Sequence, residues 1–235
     1  MPAKDDLKQH LDAIVSDILA ADQCYFLMTG IGQNAAAING KNFGDLFAFQ
    51  QDALLSIFTL SVARLFELPP RRYQIRGIPA TLDFLEAQRD KISIDNREML
   101  AGYLGLGGIE RLTDAELTSA AVANIRGRLP HAEGTPLADV LDAIRFRRDK
   151  RIAHNEVVAA DQMPELTFRQ AREVLTLART IVAAIGGYFN ISYMLDDKDG
   201  RFYPLERDAQ RIAVALQRLL EDAGLAERPW PRPKG

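Results

Sequence analysis

Along almost the whole chain apolar residues recur every three or four positions, and the alternation that builds a half-buried strand is nearly absent. Such a sequence buries its apolar surface only by packing helix on helix, so the expected architecture is an all-α bundle with short connections. Leu7, Leu11, Ile14 and Ile18 form the first stripe, continuing through Tyr25 and Met28 and interrupted near Gly30 and Gly32. A second helix fits Asp45 to Glu67, with Leu46, Phe49, Ala53, Leu54, Ile57, Phe58, Ser61 and Leu65 on or near one face. Pro69 and Pro70 stop it, because proline has no N–H for the helical ladder. After a loop, shorter helices fit Ile78 to Lys91 and Asn96 to Leu104.

Thr113 and Glu116 stand at capping-box spacing and start a helix ending near Leu129 and Pro130. Thr135 reads as an N-cap with Pro136 at the first helical position, where its missing N–H costs nothing. Thr167 and Gln170 open a long helix carrying Phe168, Leu175, Ala178, Val182, Ile185 and Phe189 inward, and a last helix fits Leu205 to Asp222. No repeat divides the chain. Residues 1–225 read as a single domain, and 226–235, rich in proline, as a tail expected to be disordered.

Composition narrows the function classes. The 235 residues carry a net charge of −3, so a chain-wide basic field is absent and any nucleic-acid contact must use a local patch. Cys24 is the one cysteine, which excludes an intrachain disulfide and a cysteine zinc cluster; it lies among Tyr25, Phe26 and Leu27 and reads as core. The N-terminus lacks the apolar core of a signal peptide, and no apolar stretch of about 18 residues runs uninterrupted, so the expectation is a cytoplasmic protein with no membrane span.

The local patch exists. On an ideal helix of about 100° per residue, Leu137, Val140 and Leu141 fall within about 60° of Ile144 and face the core. The next occupants of that face are Arg148, Arg151 and Asn155, while Arg147 and His154 lie together on its edge. The buried stripe thus turns cationic without changing side. Between Arg145 and Arg151 five of seven residues are Arg or Lys and Asp149 is the one acid, a local charge of +4. Arginine on a core-facing stripe is costly unless paired or wet, which implies a polar cleft, a subunit interface or an anion site. The plain alternative is a solvated helix end whose cations oppose the dipole and pair with surface carboxylates.

The run Arg148-Asp149-Lys150-Arg151-Ile152-Ala153-His154, followed by Asn155 and Glu156, resembles the signature of the HEPN superfamily: an arginine, often a polar residue next, then a histidine after roughly four to six intervening residues. The RDKxxAH form is similar to the abortive-infection, AbiU-type branch, as are Ser61 to Phe66 and the segment around Ile78 and Pro79; the similarity spans about residues 5–195. The resemblance implies a HEPN-like helical bundle with additional N- and C-terminal helices, commonly a homodimer that brings two Arg–His pairs together. It implies a metal-independent endoribonuclease of phage defence or a toxin–antitoxin system. The alternative within the family is a catalytically inactive protein that binds RNA, nucleotide or a protein partner. RNA and a second copy are the implied partners, an antitoxin or nucleotidyltransferase is a further candidate, and no metal or other cofactor is called for.

That chemistry suits these residue types. Cleavage through the neighbouring 2′-hydroxyl needs a base, a proton donor for the departing 5′-oxygen, and positive charge on the phosphorane-like transition state. Histidine as a residue type exchanges protons near neutrality, so His154 would move the proton; Arg148 offers a permanent charge and paired donors to phosphate. Arg147, Lys150, Arg151 and Asn155 are the expected phosphate or RNA-backbone contacts. Arg148 and His154 stand about 120° apart on an ideal helix, so sharing one phosphate calls for local unwinding or the second subunit. Arg147 aligns better with His154, which leaves the choice of key arginine open, with Arg148 preferred because Asp149 then takes the polar position. His10 and His131 have no ligand spacing and read as surface histidines; Gly105, Gly107 and Gly108 read as a simple turn; Asp196, Asp197, Asp199 and Gly200 read as a polar turn.

Overall fold

A computed structural model describes residues 2–69, 75–105, 111–131, 135, 137–153, 162–191, 195–196, 201–202 and 205–226. Among these residues nine α-helices follow in order: α1 (Pro2–Gln33), α2 (Ala35–Gly40), α3 (Gly44–Leu65), α4 (Ile78–Gln88), α5 (Arg97–Leu104), α6 (Asp114–Arg126), α7 (Ala138–Arg147), α8 (Phe168–Tyr188) and α9 (Leu205–Asp222). A π-helical turn, Arg148–Ala153, continues directly from α7. The fold is all-α; the one departure is an antiparallel pair of two-residue strands, β1 (Leu195–Asp196) and β2 (Arg201–Phe202), with Leu195 opposite Phe202. Residues 197–200, where a polar turn is expected, lie outside the described residues, as does the tail from 227 onward.

Helix α1 is the spine, packing against α3, α4, α8 and α9. Leu7, Leu11, Ile14 and Ile18 are wholly buried, each stabilising by about 1.5–3 kcal/mol of transferred side chain. The expected interruption at Gly30 and Gly32 does not occur. A Cβ on Gly30 would stand 3.2 Å from the Leu216 side chain, so this glycine lets α9 approach closely and does not end the helix. There Ile31, Ile38, Phe47, Leu220 and Leu225 form a small second core. By length and mean hydropathy α1 and α3 are apolar enough to cross a membrane; the two pack on each other, and α3 leaves Leu46, Phe49 and Ile57 exposed.

The caps place the helices where the sequence puts them. Thr113 Oγ1 accepts from Glu116 N at 3.2 Å while Glu116 Oε2 accepts from Thr113 N at 2.7 Å; Thr167 and Gln170 close the same reciprocal box at the start of α8. Asn96 caps α5, whose C-terminus turns on Gly105 at φ 64°, a left-handed conformation that glycine adopts without strain. Three expectations need correction. Helix α3 is apolar nearly all round, and spacing alone put its N-terminal half on the wrong side: Leu46, Phe49 and Ile57 are exposed, whereas Phe47, Phe58, Val62 and Leu65 are buried. Phe168 is likewise exposed, its ring edge-on to Tyr25. Helix α7 starts later than expected. Thr135 O instead accepts from Ala138 N in a turn, and Leu137 takes the N-cap position.

Deep between α1 and α8 lies the pair Asp22–Arg179, its carboxylate wholly buried and its arginine nearly so. Both Nε and a terminal nitrogen of Arg179 donate to the two oxygens of Asp22, the bidentate arrangement that best offsets burying two charges. Removing one partner leaves an unpaired buried charge, so Arg179→Met is expected to lose about 3–5 kcal/mol in urea unfolding. The double variant Asp22→Leu/Arg179→Met should recover most of that loss.

Candidate functional site

The site is assembled where the basic turn meets the C-terminal end of α3. Helix α3 ends at Leu65 because Phe66 leaves the ladder ahead of Leu68 and Pro69. Its terminal carbonyls point away from the helix and carry the negative end of the dipole. Gly77 packs directly under them: a Cβ there would lie 2.6 Å from Arg64 O, so no larger residue fits without moving backbone. The π turn packs on the same region of α3. Its hydrogen bonds run from i to i+5, which makes each residue advance by less than the α-helical step. The ideal-helix faces drawn for residues beyond Arg147 therefore do not hold.

Each of Arg145, Arg147 and Arg148 is held by an acceptor. Arg148 Nε donates to Asp149 Oδ1 at 2.7 Å, and its NH1 lies 3.5 Å from Glu67 Oε1; the side chain is about one-quarter exposed. Arg145 NH2 donates to Phe66 O at 3.4 Å, with NH1 3.5 Å from Asp142 Oδ1. Arg147 NH2 donates to Pro164 O at 2.8 Å, tying the turn to the approach of α8. Lys150 is half-buried. So Arg147 at the end of α7 and Arg148 and Lys150 in the π turn are half-buried, with carboxylates of Glu67 and Asp149 at Arg148. His154 and Asn155 lie outside the described residues, as does the side chain of Arg151.

Sequence reasoning missed His131. It is half-buried, and its Nε2 lies 2.5 Å from Phe66 O while Arg145 NH2 stands 3.2 Å from its Nδ1. The same Arg145 nitrogen lies 3.3 Å from Nε2, so the guanidinium rests against both ring nitrogens; the Phe66 carbonyl can only accept, which puts a proton on Nε2. Its other side borders an open pocket of about 230 Å³ with Leu68, Pro69, Leu129 and the Asp83–Arg126 ion pair. Burial pushes the ring below the usual histidine value, against the Phe66 hydrogen bond, with Arg145 lowering it further and Asp142 raising it. His10 is not a surface residue either: it stacks on Phe84 at 5.0 Å, and Thr81 Oγ1 lies 3.3 Å from its Nδ1. Burial lowers it too, with Arg76 adding and Asp6 opposing. No long-range sequence spacing signals these contacts, which join residues 65 and 71 positions apart.

Cys24 is buried as expected, its thiol pushed up to about 11 by burial, which leaves it unreactive at neutral pH. Among the described residues no three His, Cys, Asp or Glu side chains gather as a metal-ligand group.

A protein-family model described as AbiU2, in the HEPN group, matches residues 4–216. No curated protein and no solved structure matches the chain.

Both lowered histidines make stability depend on pH in a known direction. Below about pH 6.5 the unfolded chain takes up protons that folded His10 and His131 decline, so their contribution is complete above that value and is lost as pH falls through the folded values. The urea midpoint should therefore drop between pH 7 and pH 5.5, and the drop should shrink in a His10→Gln/His131→Gln variant.

Proposed function

The chain belongs to the AbiU2 family of HEPN proteins, and from that premise we propose that it is a metal-independent endoribonuclease acting in phage defence or a toxin–antitoxin system. The observation that carries the reading is the family match across residues 4–216 together with the Arg148-to-His154 signature in the sequence, of which Arg148 and Lys150 stand half-buried in the π turn. In this reading Arg148 neutralises the phosphorane-like transition state and His154 moves the proton between the 2′-hydroxyl and the departing 5′-oxygen. Arg147, Lys150, Arg151 and Asn155 hold the RNA backbone.

The two carboxylates at Arg148 fit this role. Glu67 and Asp149 occupy the guanidinium while no phosphate is bound, and an RNA phosphate takes their place with better-matched, bidentate geometry. The reading includes cytoplasmic location and a homodimer, which supplies a second His154 as the other proton carrier. Phe43, Leu46, Phe49 and Ile57 leave an exposed apolar stripe on α3 that supports contact with a second copy. The second reading, a binding protein without catalysis, is favoured by one observation: every arginine described in the turn already has a protein partner.

Purified protein should cut a mixed RNA pool in EDTA and leave 2′,3′-cyclic phosphate ends, while Arg148→Ala and His154→Ala do not. Strict metal dependence would defeat the mechanism, and RNA binding without cleavage would support the second reading. Glu67→Gln removes a competitor for Arg148, so it should tighten RNA binding several-fold in a filter-binding assay at low salt, the effect fading as salt rises.

A further inference from the structure

Beyond the signature residues, the structure contains one histidine whose two ring nitrogens are both engaged at the site's edge. His131 Nε2 donates to Phe66 O, the carbonyl that follows the last turn of α3, and Arg145 NH2 lies 3.2 Å from Nδ1 and 3.3 Å from Nε2. Arg145 itself also reaches Phe66 O, closing a three-membered cluster of His131, Arg145 and Phe66. The next residue after Phe66 is Glu67, which meets Arg148, and Arg148 begins the π turn three residues after Arg145. Two contacts between the same pair of segments, Arg145 with Phe66 and Arg148 with Glu67, therefore lie side by side, and the first is braced from outside by His131.

We infer that His131 is a positioning residue for this site: it clamps the start of the basic turn to the end of α3 and thereby sets where Arg148 stands. The inference deepens the ribonuclease reading and rests on it for its consequence in catalysis, but the clamp itself is a statement about Arg148 alone. The geometry explains why histidine is used. An imidazole offers the Phe66 carbonyl a donor and the Arg145 guanidinium a rigid ring with both nitrogens in reach, so one side chain meets both partners at once. Capping a helix end alone would need only the donor. Glutamine carries the same pair of functions on a flexible amide, and alanine carries neither.

The test uses full-length protein with His131→Ala and His131→Gln. It follows the Arg148 side-chain Nε–H resonance by nuclear magnetic resonance, alongside RNA cleavage at a temperature where circular dichroism shows each variant folded. The expected result is a displaced or broadened Arg148 resonance in His131→Ala and a near-native one in His131→Gln. Cleavage should fall between about ten- and a hundredfold in His131→Ala, the scale of a small misplacement, mainly in kcat, and His131→Gln should recover most of it. If His131→Ala does not fold, Arg145→Gln, which leaves Phe66 its His131 donor, must shift the Arg148 resonance instead. An unchanged Arg148 resonance in the folded variant would overturn the inference and reduce His131 to a helix cap. If wild type neither cuts nor binds RNA, the ribonuclease reading falls, while the Arg148 resonance still decides the clamp.

Discussion

The buried pair between Asp22 and Arg179 fixes the arrangement on which the rest depends. Hydrophobic burial drives α1 and α8 together without direction, since Leu, Ile, Val and Ala side chains tolerate small slides and rotations. A bidentate ion pair does not tolerate them. Asp22 sits beyond the four fully buried residues of α1's first stripe, and Arg179 sits in the middle of α8, so one contact fixes both the rotation and the offset of these two helices. Helices α3 and α4 pack on α1 as well, and the end of α3 is one wall of the site. The position of Arg148 is thereby referred, through α3 and α1, to a charge pair in the core.

What was legible in the sequence was local. Both Thr-led boxes depend on residues three apart and stand where spacing puts them, and α9 has the limits the sequence suggests. The side of α3 was not legible, because Leu46 and Phe47 are equally apolar and only the position of α1 decides which is buried. Nor was the start of α7, where a turn at Thr135 competes with a cap by the same residue. The Asp22–Arg179 pair joins residues 157 positions apart, and nothing in a one-dimensional pattern marks an aspartate as buried.

For the site, sequence identified the basic turn but not its company. The expectation of a cationic stripe at the core boundary and the plainer expectation of arginines paired with carboxylates both describe the structure in part. Arg148 is half-buried and also paired. The two are compatible because an arginine that must meet a phosphate later is cheaper to keep folded when a carboxylate stands in for that phosphate. His131 escaped notice because its partners, Phe66 and Arg145, are a backbone atom and a residue already counted in the basic run.

The π turn has a consequence for lineage. A ring closed from i to i+5 holds one residue more than a ring closed from i to i+4, so it is the form an α-helix takes when a single residue is gained without disturbing either flank. Losing one residue between Arg148 and Ala153 would return the segment to ordinary winding, with α7 and the chain beyond left largely where they are. A signature whose arginine and histidine are separated by a variable number of residues is what such a segment permits. A change of one residue in length there would be taken up by winding.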